Sequence, residues 1–295
     1  FTDNIQMIII LILLLISAFY LKTFSGEQFS ISYIKEKNPQ LLSTKYLPNY
    51  TAFLIFFIAV AATNLFHQGN WQRVYAAKNY KILKQSLLFA FFFIIPIVLF
   101  FGFSGLVAIS VNSKILPDLG FFTLLLKDQK EFLSLVVIIL GVSLTISTVD
   151  TLVNAISSLI LVDFKATFNL GEKKNYLTIS KYFILVLSII VFITASKGFS
   201  VLYLFLLADL FCCAFVLTIF YSFYNKNITE KTAYISIIIG LIFGFLLFPT
   251  PDFSKSLLIG IFLPKELFPD FMSQSLLFFS FVFATFLPIA TWKIK

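Results

Sequence analysis

The sequence predicts an all-α integral membrane protein with about eight transmembrane helices. Of its 295 residues, 59% are hydrophobic and only 12% are charged, whereas a soluble domain carries about 25% charged residues. The mean hydropathy is +0.97. Runs such as residues 8–15 are apolar on every face, which excludes the alternating pattern of a transmembrane β-barrel. Lipid, rather than water, is therefore expected around most of the surface.

Each predicted helix is a mostly apolar stretch close to the roughly 20 residues that a bilayer requires. The stretches lie near residues 3–21, 51–69, 84–110, 132–160, 178–196, 199–224, 232–248 and 272–292. The chain begins with Phe1, and the first stretch follows with no charged region or cleavage site before it. This start is not that of a signal peptide. We expect a fragment that opens inside a helix.

The basic residues predict the orientation in the membrane. Twelve of the 22 Lys and Arg residues lie in the segments 73–84, 165–181, 226–231 and 293–295, and the others are spread over far longer loops. Cytoplasmic loops are enriched in Lys and Arg, so these segments are expected inside the cell. This topology explains the net charge of +8 better than a nucleic-acid partner does. Abundant Phe, Lys, Ile and Asn beside one Arg indicate an AT-rich genome, most simply bacterial, and hence a multi-pass protein of the inner cell membrane.

Polar residues concentrate on one face of the fourth stretch. Residues three or four apart share a helix face, and seven polar residues follow that spacing: Ser143, Ser147, Asp150, Thr151, Asn154, Ser157 and Ser158. Their oxygens suit a hard cation such as sodium. The alternative is that the hydroxyl groups bond to their own helix and serve packing. Asp150 favours an ion or proton pathway, because a carboxylate inside a membrane usually marks function.

Two further membrane segments carry candidate groups. The second stretch ends with Thr63, Asn64 and His67 near a glycine, which suggests either a helix that unwinds to bind a ligand or an interfacial cap. His67 is the only histidine, so a multi-histidine metal site is excluded. Asp209 lies near the middle of the sixth stretch, where it is either a coupling group or a partner for a neighbouring helix. The adjacent residues Cys212 and Cys213 are interpreted as small apolar fillers.

Three local patterns resemble the sodium:solute symporter family, which includes carriers for sugars, proline, pantothenate, urea and sialic acid. TDNIQ at residues 2–6 is similar to the family's T-D-x-x-Q start of its fifth core helix. WQRVYAAKN at residues 71–79 resembles the Q-R-x-x-A-A-K-N segment that ends the sixth. STVDTLVNAISS at residues 147–158 resembles the S-T-x-D-S-x-x-N-x-x-S-S pattern of the eighth. The resemblance spans essentially the whole chain.

This resemblance implies a leucine-transporter-like fold of two inverted repeats, with ions held near the membrane midplane. The chain would form one transporter domain over residues 1–295. Residues 3–21 would be the last helix of the first repeat, 51–224 the second repeat, and 232–292 extra helices.

Position by position, the resemblance also implies sodium, Na+, as the coupling ion. Ser147 and Thr148 would bind it through their hydroxyl groups, together with the backbone carbonyl of Leu144. Some relatives bind a second sodium, which here would involve Asp3 with Ser147, Asp150 and Thr151. Some relatives have serine at the position of Asp150, so the aspartate would either strengthen cation binding or favour protons.

The function expected from these observations is secondary active transport of a small organic solute coupled to sodium. The solute contacts are expected at Thr63, Asn64, His67 and Asp209. The partners are then the solute and the lipid bilayer, without nucleic acid. The alternative is a transporter-like sensor domain fused to a cytoplasmic signalling module. An enzyme is not expected, because no pairing of a nucleophile with a base is visible.

Overall fold

The computed structural model of the chain describes residues 8–12, 15–17, 19–21, 26–113, 115, 119–126, 131–164, 176–225, 228–253, 256–259 and 275–292. Every regular element in this part of the chain is a helix, so the predicted all-α class is confirmed. Six of the described helices are long and apolar enough to cross a membrane. This is the architecture of a helical integral membrane protein.

The described part of the chain contains the following elements in order. Residues 8–12, 15–17 and 19–21 are helical, short 3-10 turns occur at Gly26–Gln28 and Pro39–Leu42, and a π-helical turn occurs at Ile160–Phe164. The remaining helices are α1 (Ile31–Lys37), α2 (Leu47–Phe66), α3 (Gln68–Ala76), α4 (Tyr80–Val111), α5 (Gly120–Leu125), α6 (Glu131–Leu159), α7 (Tyr176–Ser196), α8 (Val201–Tyr224), α9 (Glu230–Leu247) and α10 (Leu276–Thr291).

The seven predicted stretches from 51–69 onward each correspond to one of these helices, with ends that differ by four residues or fewer. The differences arise because caps, rather than hydropathy, decide where a helix begins. Pro48 occupies the first turn of α2. The side chain of Asn79 accepts the N–H of Ile82 at 2.9 Å and starts α4. The 16 residues of α10 are fewer than the roughly 20 needed for a perpendicular span.

The chain divides into two units. The first contains Phe1–Ser43 and Gln68–Ser196, and the second contains Thr44–His67 and Lys197–Lys295. The predicted pair of inverted repeats and the assignment of extra helices stay predictions.

In the first unit, the described core lies where α4 meets α1 and α5. Its buried residues are Leu21, Ile34, Val107, Ala108 and Leu124. Aromatic rings pack edge to face around it, including Phe29 against Phe103 with centroids 5.0 Å apart. In addition, α3 packs on α6, and α6 on α7. Most of α4 and α7 is uncovered by protein, as expected for lipid-facing helices.

In the second unit, α8 packs against α2, α9 and α10. The buried core combines residues from α2, α8 and α10, including Ala59, Leu206, Leu210, Cys213 and Ala284, and α9 contributes partly buried side chains that pack against it. Ser280 donates a hydrogen bond to the carbonyl of Gly244 at 2.7 Å.

Gly240 and Gly244 let α9 approach α10 and α8 closely, as their G-x-x-x-G spacing predicts. A Cβ atom at Gly240 would lie 2.8 Å from the carbonyl oxygen of Ala284 and 3.0 Å from Cγ of Pro288. At Gly244, it would lie 3.0 Å from Cβ of Ala284. The carbonyl oxygen of Ala284 belongs to the backbone and cannot rotate away, so a side chain at Gly240 must push the helices apart.

We therefore expect Gly240→Ala to destabilise the protein by about 1–3 kcal/mol, the range for an overpacked core. The matched control is Gly102→Ala on exposed α4, where the new Cβ meets nothing within 4 Å. The control should be neutral or stabilising by up to about 1 kcal/mol, since alanine is the better helix former. Unfolding of each variant in detergent micelles measures both effects. Equal stability of the two variants would contradict the close approach.

Candidate functional site

The polar residues predicted to share one face of the fourth stretch all lie on α6 and its last turn. Each of these seven residues is half-exposed or exposed. Lipid cannot hydrogen-bond to such groups. This face of α6, the polar stripe, thus carries polar atoms that the described part of the chain leaves largely uncovered.

Several hydroxyl groups of α6 donate hydrogen bonds to their own helix. Thr148 Oγ1 donates to the carbonyl of Leu144 at 2.9 Å, and Thr151 Oγ1 donates to that of Ser147 at 3.0 Å. The amide of Asn154 donates to Asp150 Oδ2 at 3.4 Å. This is the back-bonding that the packing interpretation expects. It also leaves the hydroxyl lone pairs available as acceptors, so the geometry is compatible with both interpretations.

The predicted sodium ligands Leu144, Ser147 and Thr148 occupy successive positions along this one helix. Asp150 and Thr151, assigned to a second ion, follow within the next turn. Asp3 lies outside the described residues. The ligand assignments for both ions stay predictions.

Gln72 brings α3 to the polar stripe. Its amide Nε2 donates to Ser158 Oγ at 3.0 Å. Both residues belong to segments that carry the family resemblance, yet their separation of 86 residues hides the pairing from sequence reasoning. The bond ties the end of the stripe to the helix that follows His67.

The second stretch is interrupted at His67, and the two interpretations of its end, a helix that unwinds to bind a ligand and an interfacial cap, both stay predictions. α2 ends at Phe66, His67 has φ −72° and ψ 103°, and α3 begins at Gln68. The last turn of α2 contains no basic residue. A helix end carries a partial negative charge on its carbonyl groups, so the last turn of α2 is a source of negative potential.

Thr63 and Asp209 are distant in the sequence but lie together in the structure. The hydroxyl of Thr63 on α2 donates a hydrogen bond to Oδ1 of Asp209 on α8, across 146 residues. Of the two roles considered for Asp209, bonding to a neighbouring helix is therefore observed. The other two predicted solute contacts point elsewhere or lack partners. Asn64 Nδ2 donates to the carbonyl of Val60 at 2.8 Å, and His67 Nδ1 is buried without a hydrogen-bond partner in the described chain.

Asp209 is only 7% exposed and is surrounded by apolar residues of the core. Its neighbours on α8, Leu206 and Leu210, are fully buried. Cys212 lies one turn further on and shares a helix face with Asp209, because residues three apart lie on the same side of a helix.

Among the residues that the structure describes, no three His, Cys, Asp or Glu side chains converge as a metal site would require. The oxygen-rich candidates are thus the polar stripe of α6 and the pair Thr63–Asp209.

One curated protein is similar to this chain. A spermidine transporter of Candida albicans, DUR31, is 28% identical over 222 residues, which cover 74% of this chain and 41% of that protein. The chain therefore spans less than half the length of this relative. No family model matches the sequence, and no solved structure matches it. The similarity relates the chain to a membrane transporter without assigning it to a family.

A double-mutant cycle tests the bond between Thr63 and Asp209. Thr63→Val and Asp209→Ala each remove the bond and should each destabilise the protein, and their coupling should be about 0.6 kcal/mol and at most about 1.7 kcal/mol, as for other hydrogen bonds between membrane helices. The readout is unfolding in mixed micelles. Thr194→Val is the matched control, because Thr194 Oγ1 donates only within α7, to Ile190 at 2.9 Å. Additive effects in the Thr63–Asp209 pair would show that the bond is not formed.

Proposed function

We propose that this protein is a secondary transporter that moves a small organic solute across the membrane and is coupled to sodium. The observation that carries the proposal is the meeting of Thr63 and Asp209. Both are polar, both lie in apolar helices, and they join where α2 is interrupted. Interrupted helices near buried polar groups are the usual solute sites of transporters.

The similarity to a transporter supports the same conclusion. That relative is named for spermidine, so spermidine is the first solute to test. The cell membrane is the proposed location, because the described helices include six that are long enough to cross a bilayer. A bacterial origin stays a prediction from composition.

Sodium coupling is proposed from the oxygen atoms of the polar stripe and from the family resemblance of residues 147–158. In this mechanism, Ser147 and Thr148 would bind the ion through hydroxyl oxygens, and the carbonyl of Leu144 would complete their side of the site. Asp150 and Thr151, with Asp3, would serve a second ion. Asp150 lies at the exposed face of α6, where its negative charge would attract a cation.

Coupling requires that ion and solute both favour the same conformation. Each ligand shifts the equilibrium only by its difference in affinity between the two states, and the effect is reciprocal. Sodium entering from the side where it is concentrated would then raise the affinity for solute on that side. Thr63, Asn64, His67 and Asp209 are the proposed solute contacts.

Uptake by vesicles containing the full-length protein tests the ion site. With a sodium gradient, Ser147→Ala/Thr148→Ala should weaken the apparent sodium affinity about 10-fold or more, because two hydroxyl oxygens that contact the ion are lost. The matched control is Ser188→Ala/Thr194→Ala on α7, whose hydroxyl groups likewise donate to their own helix, to Ile184 and Ile190. The control should behave as the unsubstituted protein. Uptake that ignores sodium and survives the first double substitution would overturn the coupling proposal.

A further inference from the structure

We infer that Asp209 and the last turn of α2 form a binding site for a protonated amino group attached to an alkyl chain. The inference rests on the proposed function in one respect only: the amino group would belong to the transported solute. The site itself is argued from the charges, bonds and surroundings of the second unit.

Two sources of negative potential meet at one place. The carboxylate of Asp209 lies beside Thr63, which is in the last turn of α2. That turn is the negative end of a 20-residue helix. The two negative regions repel each other, so the arrangement favours a positive charge between them.

The described chain supplies no such charge. No described Lys, Arg or His forms an ion pair with Asp209, and the last turn of α2 is without a basic residue. A carboxylate 7% exposed within apolar helices is costly unless it is paired. A cation beside the carboxylate would remove this cost.

The free hydrogen-bonding capacity matches an ammonium group. Asp209 Oδ1 accepts from Thr63, and Oδ2 accepts from no residue that the structure describes. Thr63 Oγ1 uses its hydrogen in that bond and keeps its lone pairs. An ammonium carries three donors and no acceptor. Oδ2 and Thr63 Oγ1 offer it two acceptors without displacing the existing bond.

The apolar surroundings favour an organic cation over a bare metal ion. A metal ion needs oxygen atoms on most sides to replace its hydration shell, whereas the sequence neighbours Leu206, Leu210 and Phe66 belong to the apolar core. An alkyl chain gains free energy by leaving water for such walls. The aromatic ring of Phe66, in the same turn as Thr63, also attracts cations.

The test measures binding of n-alkylammonium ions, from methyl to hexyl, to the full-length protein in detergent by calorimetry. The alkan-1-ols of equal length are the neutral comparison. The ammonium ions should bind about 10-fold or more tightly than the alcohols. Their affinity should rise about threefold to fourfold per methylene that contacts apolar side chains. Equal binding of alcohols and ammonium ions would overturn the inference without any substitution.

Substitutions separate charge recognition from a structural role. Asp209→Asn keeps an acceptor for Thr63 but removes the charge, and should weaken ammonium binding about 10- to 100-fold. Thr63→Val should weaken it less, about 2- to 10-fold. The matched control is Asp252→Asn, since Asp252 also accepts from a threonine, Thr250, but on an exposed turn. Unchanged ammonium affinity in Asp209→Asn would show that the pair is structural only.

The same titrations distinguish this inference from the proposed function. Ammonium binding that depends on Asp209, combined with absent uptake in vesicles, would overturn transport and support the site. Uptake in vesicles, combined with ammonium binding that does not depend on Asp209, would support transport and overturn the ammonium site. Displacement of ammonium by sodium, with no dependence on chain length, would identify a site for inorganic ions and overturn the inference.

Discussion

The absence of water in the bilayer governs where polar groups lie in this protein. Backbone and hydroxyl groups without a partner cost several kcal/mol there, and most serine and threonine side chains solve the problem locally. Ser104, Thr145, Ser188 and Thr285 each donate to the carbonyl four residues earlier in their own helix. Because this solution is available to almost any hydroxyl, a hydroxyl that bonds to another helix is informative.

Bonds between helices serve two purposes in the described chain. Ser280 with the Gly244 carbonyl, and Ser236 with Thr291, hold α9 on α10 where glycines permit close packing. These neutral pairs are sufficient for packing. The pair Thr63–Asp209 differs because it contains a carboxylate, and a buried charge costs roughly 2.5 to 3.5 kcal/mol at the membrane centre. Packing alone does not require that cost, which is why we propose a functional role for the pair.

The fold was largely predictable, because hydropathy and helix length both follow from the need to cross the apolar core of the bilayer. Seven apolar stretches correspond to α2, α4 and α6 through α10 within four residues at each end. The short helices α1 and α5 lie in polar insertions and were missed, since too few residues repeat for a periodic signal. Thr63 and Asp209 were singled out separately, but their contact was not predictable from a separation of 146 residues. The interruption at His67 was predictable because amide and hydroxyl residues cluster with Gly69.

The polar stripe of α6 is largely exposed, whereas Asp209 is buried. α8, which carries Asp209, is the described spanning helix with the largest share of its apolar window buried, 39%, whereas the window on α6 is 0% buried. Thr63 and Asp209 therefore lie within packed helices, whereas Asp150 and Asn154 lie on a face that the described part of the chain leaves exposed. Lipid cannot hydrogen-bond to that face. In the proposed function, the exposed stripe on α6 would bind the coupling ion and change partners as the transporter moves between states. The buried pair of Thr63 and Asp209 would contact the solute.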